Sequence, residues 1–216
     1  MTLKHFRKIV IVLLCILLFA RVFVGEEASL WKESYLFENM NDDCRMEEVK
    51  RLSREMKCFP VREKSEMEFE NGYGGERSYG GPRKHEGIDI IPKKEKDDTY
   101  RVCSVADGFV EKIGWLELGG YRVGIRSESG FYYYYAHLAS YQKGLKEGSK
   151  VKAGDVIGRM GNTGYGKEGT KGKFIVHLHF GIYRQTDGEE KSLNPYYLLQ
   201  YLEEGQRWRY SFGERY

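Results

Sequence analysis

The sequence predicts a mainly β protein: a small antiparallel β-sheet domain preceded by an N-terminal membrane helix and a short helical spacer. Three observations carry this. Seventeen Tyr and 26 Gly among 216 residues favour strands joined by tight turns over a helical bundle. From Gly87 onward, short β-prone runs recur at close spacing with Gly-containing turn signals between them. The chain opens on a basic flank followed by an unbroken apolar run.

In that first element, Lys4, Arg7 and Lys8 precede Ile9 to Ala20, followed by Arg21 and Val22 to Val24. A basic region before an apolar segment sends the downstream chain across a membrane. Signal cleavage favours small residues one and three positions before the cut. A cut after Ala20 places Leu18 at the third position, and one after Gly25 places Phe23 there. A lipoprotein site at Cys15 is disfavoured by Leu14 before it. The expectation is a signal-anchor over residues 1–24, with the rest extracytoplasmic and held to the cell membrane, or secreted if the segment is cut. As a helix, residues 9–24 reach about 24 Å, short of the ~30 Å hydrocarbon core, so Arg21 would snorkel.

Residues 25–58 read as a charged spacer with a helix over 41–57. Asn41, Asp42 and Asp43 offer caps, and Met46, Val49, Leu52 and Met56 fall at helical spacing. Residues 61–84 are charged and Gly-rich and read as loop. The strand candidates are 88–91, 100–105, 109–113, 121–126, 131–137, 156–160 and 174–183, with turn signals such as Asp107-Gly108, Gly119-Gly120 and Gly161 to Gly164 between them. Asn194-Pro195 opens a helical tail from Tyr197 to Glu203. The expected domain covers 59–200, with a tail over 201–216.

Charge and cysteines narrow the classes. Lys and Arg number 35 and Asp and Glu 32, interspersed, giving a net charge of +3. A nucleic-acid protein would gather its basic residues on one stripe, so no such partner is expected. The cysteines are Cys15, Cys44, Cys58 and Cys103, without the CxxC pairs of a thiolate zinc site. Fourteen helical residues between Cys44 and Cys58 would span roughly 21 Å, against the ~7 Å a disulfide tolerates. Cys58 with Cys103 stays open.

Four histidines outside the N-terminal segment, His85, His137, His177 and His179, all fall beside or within strand candidates. In Phe174-Ile-Val-His177-Leu-His179-Phe-Gly-Ile-Tyr183, alternation sets Phe174, Val176, Leu178, Phe180 and Ile182 on one apolar face. His177 and His179 then share the other face with Gly181. In His85-Glu-Gly-Ile-Asp89, a fully extended chain would hold the two ends about 13 Å apart. They could share a metal only through a bend near Glu86-Gly87. In Phe131 to Leu138, alternation puts Tyr133, Tyr135 and His137 on one face. Alone, each pattern also fits an ordinary polar or packing surface. Together they supply two His and one Asp, the usual three-ligand set of a catalytic zinc, plus two further His as general base or electrostatic stabilisers. There is no HExxH helix.

With these pieces in place, the sequence resembles the lysostaphin/LytM-type peptidoglycan metalloendopeptidases. The matching pieces are His85-x-x-x-Asp89, Tyr135-Ala-His137-Leu138, Val151 to Gly158 with Gly161-Asn-Thr-Gly164, His177-Leu-His179-Phe180 and Asn194-Pro195, in that order over about 79–200. The resemblance implies that His85, Asp89 and His179 bind Zn2+, while His137 and His177 activate the attacking water and stabilise the tetrahedral intermediate. Tyr79, six residues before His85, stands where some members have an oxyanion-stabilising Tyr. It further implies an open groove on a small antiparallel β fold, with peptidoglycan stem or cross-bridge peptides as substrate. One departure is the extended link Tyr165 to Lys173, which reads either as a longer hairpin loop or as a substrate-contacting wall. The alternative function is a non-catalytic cell-wall binding or regulatory module on the same fold, and degenerate members of that kind lack ligands or catalytic histidines.

Overall fold

The computed structural model describes residues 33–40 and 44–204. Residues 33–40 form helix α1. The further elements are α2 (Met46–Glu55), β1 (Met67–Phe69), β2 (Glu76–Arg77), β3 (Arg83–Lys84), β4 (Ile88–Pro92), β5 (Arg101–Cys103), β6 (Gly108–Leu116), β7 (Gly120–Arg126), β8 (Tyr132–Tyr141), β9 (Lys150–Val151), β10 (Val156–Met160), β11 (Leu178–Thr186), β12 (Glu189–Leu193) and α3 (Tyr196–Glu204). Ten strands build one antiparallel sheet in the order β1-β4-β11-β8-β7-β6-β9, with β10 against β8 and β5, and β12 against β11. β2 and β3 form a separate hairpin. This is the antiparallel β domain that the Gly and Tyr content predicts.

Period-two alternation divides the central strands into two faces. Leu178, Phe180 and Ile182 of β11, Tyr133 and Tyr135 of β8, Ile88 and Ile90 of β4, and Val123 and Ile125 of β7 are all fully buried. Each such side chain contributes roughly 1.5–3 kcal/mol relative to exposure. Val49 and Leu52 of α2, Met56 just beyond it, and Leu198 and Leu199 of α3 join the same core. Glu55 at the end of α2 accepts a 2.7 Å hydrogen bond from the Tyr133 hydroxyl. The helix is thereby fixed to the core face, and the opposite face of β4, β11, β8 and β7 stays open.

Several expectations are corrected. None of the described helices is long and apolar enough to cross a membrane. No described helix supports the N-terminal membrane helix, the membrane as a partner or the membrane-anchored localisation, and these readings are withdrawn; residues 1–24, on which they rested, lie outside the described residues. The expected caps Asn41 to Asp43 also lie outside them. Helix α2 begins later, at Met46, where Glu48 accepts the Arg45 N–H at 2.9 Å. Residues 61–84 hold β1 and the β2–β3 hairpin rather than loop alone. Strands of two or three residues are too short to display a period. In the 174–183 run, strand geometry starts only at Leu178. Ile175 is 51% exposed, and Phe174 leaves the core to pack its ring 4.6 Å from that of His137. Cys58 and Cys103 do not pair, and both are free thiols.

Candidate active site

The open face carries three metal-ligating side chains from two adjacent strands and the segment leading into one of them. In the β4–β11 ladder His179 lies directly opposite Asp89, so both carboxylate and imidazole leave the sheet side by side. His85 reaches them because the chain bends at Glu86-Gly87, between β3 and β4. Gly87 is required there: a Cβ at that position would stand 2.5 Å from the Phe180 carbonyl oxygen and 2.7 Å from the His179 ring. The resulting triangle is close. His85 Nε2 lies 3.0 Å from Asp89 Oδ1 and 2.9 Å from His179 Nδ1, and His179 Nδ1 lies 3.1 Å from Asp89 Oδ1.

Two imidazole nitrogens and one carboxylate oxygen, at these separations, match the donor set of a three-ligand zinc site. Tetrahedral zinc, with ligands at 2.0–2.2 Å, holds its donors about 3.4 Å apart, so an ion enters with a few tenths of an ångström of relaxation. The His85 Nδ1 lies 2.9 Å from the Gly72 carbonyl. As an N–H donor there, it fixes the tautomer that leaves Nε2 free to ligate. Burial works to raise the Asp89 carboxyl, but the imidazoles of His179 and His85 beside it outweigh that and hold the group well below the usual carboxylate range. The donor oxygen is therefore ionised throughout the working range.

The two remaining histidines stand beside this triangle. His137 comes to the open face through a β-bulge. Tyr121 of β7 pairs with Leu138 and Val123 pairs with Tyr135, so Ala136 and His137 together oppose the single residue Arg122. Strict alternation would have sent His137 into the core with Tyr133 and Tyr135. The extra residue, with His137 at φ +62°, turns it the other way. Its Nδ1 lies 2.8 Å from the Thr163 carbonyl, and Thr163 is itself tied to β8 through Oγ1 and the Leu138 carbonyl at 2.7 Å. His177 is held by a bridge to Gly161 and by its Nδ1, 2.9 Å from the Ile175 carbonyl. With both Nδ1 atoms occupied as donors, both Nε2 atoms are acceptors. That of His177 lies 3.8 Å from Asp89 Oδ1, and the His137 and His177 ring centroids are 4.7 Å apart. Burial pushes His137 well below its ordinary pKa, helped by the neighbouring His177, and burial likewise lowers His177. Both are neutral at pH 7.

These four histidines and Asp89 line one groove of about 610 Å³. Tyr79 lies at its rim, 46% exposed. Its ring stacks on Tyr165 at 4.1 Å and its hydroxyl donates to the Tyr165 carbonyl at 2.8 Å. The hairpin β2–β3 and the link after Gly164 thus meet above the groove. Sequence reasoning missed Arg77, whose guanidinium donates to Asp89 Oδ2 at 2.9 Å and lies 3.0 Å from His85 Nδ1. It also missed Arg122, took Tyr165 only as the start of the extended link, and set Phe174 on the core face. No periodicity marks Arg77 or Tyr165, which sit in a two-residue strand and in a loop.

Comparison with known proteins places this geometry. Residues 83–195, just over half of the chain, match Peptidase family M23, a range that contains His85, Asp89, His137, His177 and His179. The L-Ala–D-Glu endopeptidase of Bacillus subtilis is 41% identical over 139 residues, which are 64% of this chain and 41% of that protein. Lysostaphin of Staphylococcus simulans is 35% identical over 81 residues, 37% of this chain and 15% of its own length. The chain therefore spans less than half the length of these curated relatives. Among solved structures, the provisionally assigned glycyl-glycine endopeptidase lytM of Ruminococcus gnavus agrees with a TM-score of 0.65 at 41% identity, over 73% of this chain and 64% of that one. With the matched segment running through every strand that supplies the metal triangle and the flanking histidines, the chain belongs to peptidase family M23.

Proposed function

We propose that the chain is a zinc-dependent endopeptidase that hydrolyses peptide bonds of bacterial peptidoglycan. The observation that carries this reading is the triangle of His85 Nε2, Asp89 Oδ1 and His179 Nδ1, with edges of 2.9 to 3.1 Å, flanked by two buried neutral imidazoles. When bound, zinc supplies Lewis acidity, polarising the scissile carbonyl and bringing the pKa of water toward ~7.

The rest is done by the chain's own side chains. His177 and His137 present unprotonated Nε2 atoms to the groove. An imidazole in that state accepts a proton from the attacking water and, as imidazolium, gives it to the leaving amine. The carbonyls of Thr163 and Ile175 keep both rings in the accepting tautomer. Tyr79 can stabilise a developing oxyanion only after its hydroxyl leaves the Tyr165 carbonyl, so its role couples to opening of the groove rim. The 41% identity to an L-Ala–D-Glu endopeptidase supports a bond in the stem peptide.

The test is incubation of the full-length, zinc-loaded chain with purified peptidoglycan, with new amino ends assigned by mass spectrometry and His177→Ala as control. The full chain is needed because Val49 and Leu52 of α2 are part of the core. New ends that require zinc and His177 are the expected result. Stoichiometric zinc with no new ends would instead support a non-catalytic wall-binding module.

A further inference from the structure

Five charged residues of one sign, Arg77, Arg83, Lys84, Arg122 and Arg126, border the groove. Three of the four arginines are committed. Arg77 binds Asp89 at 2.9 Å. Arg83 donates to the Tyr165 hydroxyl at 3.2 Å. Arg126 is saturated by Glu111 at 2.6 and 2.9 Å and by Glu190 at 2.6 Å, with its guanidinium 4.8 Å from the Tyr132 ring centroid. Arg122 is different. Its Nη1 is buried with no hydrogen-bond partner among the described residues.

Leaving a guanidinium nitrogen buried and unsatisfied costs free energy, and buried cations are ordinarily paired. Val123 and Ile125 of β7 face the core, so Arg122 leaves that strand on the groove side. With Nη1 covered by the protein and no carboxylate paired to the side chain among the described residues, the remaining N–H groups of its guanidinium are the ones left for a ligand anion. The position is informative. Arg122 is the residue of β7 that faces the bulge carrying His137, one strand from that histidine and two strands from His179. Strand spacing of about 4.8 Å puts β7 roughly 10 Å from β11. An extended peptide advances about 3.3 Å per residue, so an anion here belongs to a group within about three residues of the cleaved bond. The neighbouring floor is aromatic, with Tyr132 and Tyr134 from β8, which suits a peptide rather than a free inorganic ion. A guanidinium recognises a carboxylate through two parallel N–H donors.

We propose that Arg122 is a specificity-determining residue that binds a free carboxylate of the substrate peptide beside the scissile bond. Resting on the endopeptidase reading above, this defines the substrate class as stem peptides whose glutamyl residue keeps its α-carboxylate, in preference to those in which that group is amidated.

The test compares two synthetic stem peptides, one with the α-carboxylate and one with the α-carboxamide, on the full-length zinc-loaded chain and on Arg122→Gln. A charge-assisted hydrogen bond predicts that the wild-type chain favours the acid by roughly 10- to 100-fold in kcat/KM, and that Arg122→Gln erases this ratio. Equal rates on both peptides, or a ratio that persists in Arg122→Gln, would overturn the assignment while leaving the endopeptidase itself standing. If neither peptide is cut, the endopeptidase reading fails on this substrate. Calorimetric binding of the same two peptides then decides the inference separately: tighter binding of the acid that is lost in Arg122→Gln supports it, and equal binding refutes it.

Discussion

Gly87→Ala adds one methyl group at the point where the geometry of the metal triangle is set. The new Cβ would lie 2.5 Å from the Phe180 carbonyl oxygen and 2.7 Å from Cε1 and Nε2 of His179. Ordinary contact needs close to 3.4 Å, and the nearest atom is backbone, so a rotamer change does not relieve it. β4 and β11 must separate, or the His179 ring must tilt, by most of an ångström. His179 shares two of the three edges of the triangle, now 2.9 and 3.1 Å. An opening of ~1 Å takes those edges to about 4 Å, so that an ion about 2.1 Å from all three donors would be forced into their plane, away from the tetrahedral geometry zinc prefers. The overpacking cost is about 1–3 kcal/mol, which expressed in zinc affinity is roughly 5- to 150-fold. The assay is competition against a chelator of known affinity, with thermal unfolding of the metal-free protein measured alongside. Zinc affinity within about twofold of wild type would refute the claim that Gly87 exists to let the ligands converge.

The same geometry makes three further predictions. His137→Ala should keep one zinc per chain, because its Nε2 lies outside the triangle, and should lower kcat by about 10²- to 10⁴-fold; loss of zinc would make His137 a ligand. His137, His177 and His179 all have folded pKa values lowered chiefly by burial, so below the unfolded value of about 6.5 the unfolded chain binds more protons. Stability of the metal-free chain should therefore fall as pH drops from about 7.5 to 5.5, by up to about 1.4 kcal/mol per pH unit for each histidine that stays neutral, and a urea midpoint flat over that range would contradict their neutral burial. Removing residues 1–58 strips Val49, Leu52 and Met56, which are no more than 2% exposed, a loss of order 5 kcal/mol against a typical total of about 5–15 kcal/mol. The remaining 59–216 piece should unfold at markedly lower urea, and an unchanged midpoint would show that α2 is dispensable.

How much of this was legible in the sequence depends on the length over which each signal acts. The β class, the central strands and the helical tail follow from alternation and turn residues repeated over many positions, and tertiary packing did not override them. β2 and β3, at two residues each, carry no periodic signal, and with them Arg77 escaped notice although it touches both Asp89 and His85. The Phe174 to Tyr183 run shows the opposite error. Its core face holds from Val176 onward, but Phe174 exchanges the core for the rings of His137 and His177.

His137 is the most instructive case. Read as a period-two strand, Tyr133, Tyr135 and His137 share a face, and that face is the core, where an unpaired imidazole would be costly. A histidine placed there by pattern is thus evidence that the pattern breaks before reaching it. The break is the bulge at Ala136-His137, and the device that holds it is local. The Gly119 carbonyl accepts the His137 backbone N–H at 2.8 Å, and the Thr163 carbonyl receives the ring. Those partners come from the two Gly-containing turns noted at 119–120 and 161–164. The turns that read as punctuation between strands are the same ones that aim a site residue out of the core, and the register slip they stabilise also leaves Arg122 facing two residues of β8 instead of one.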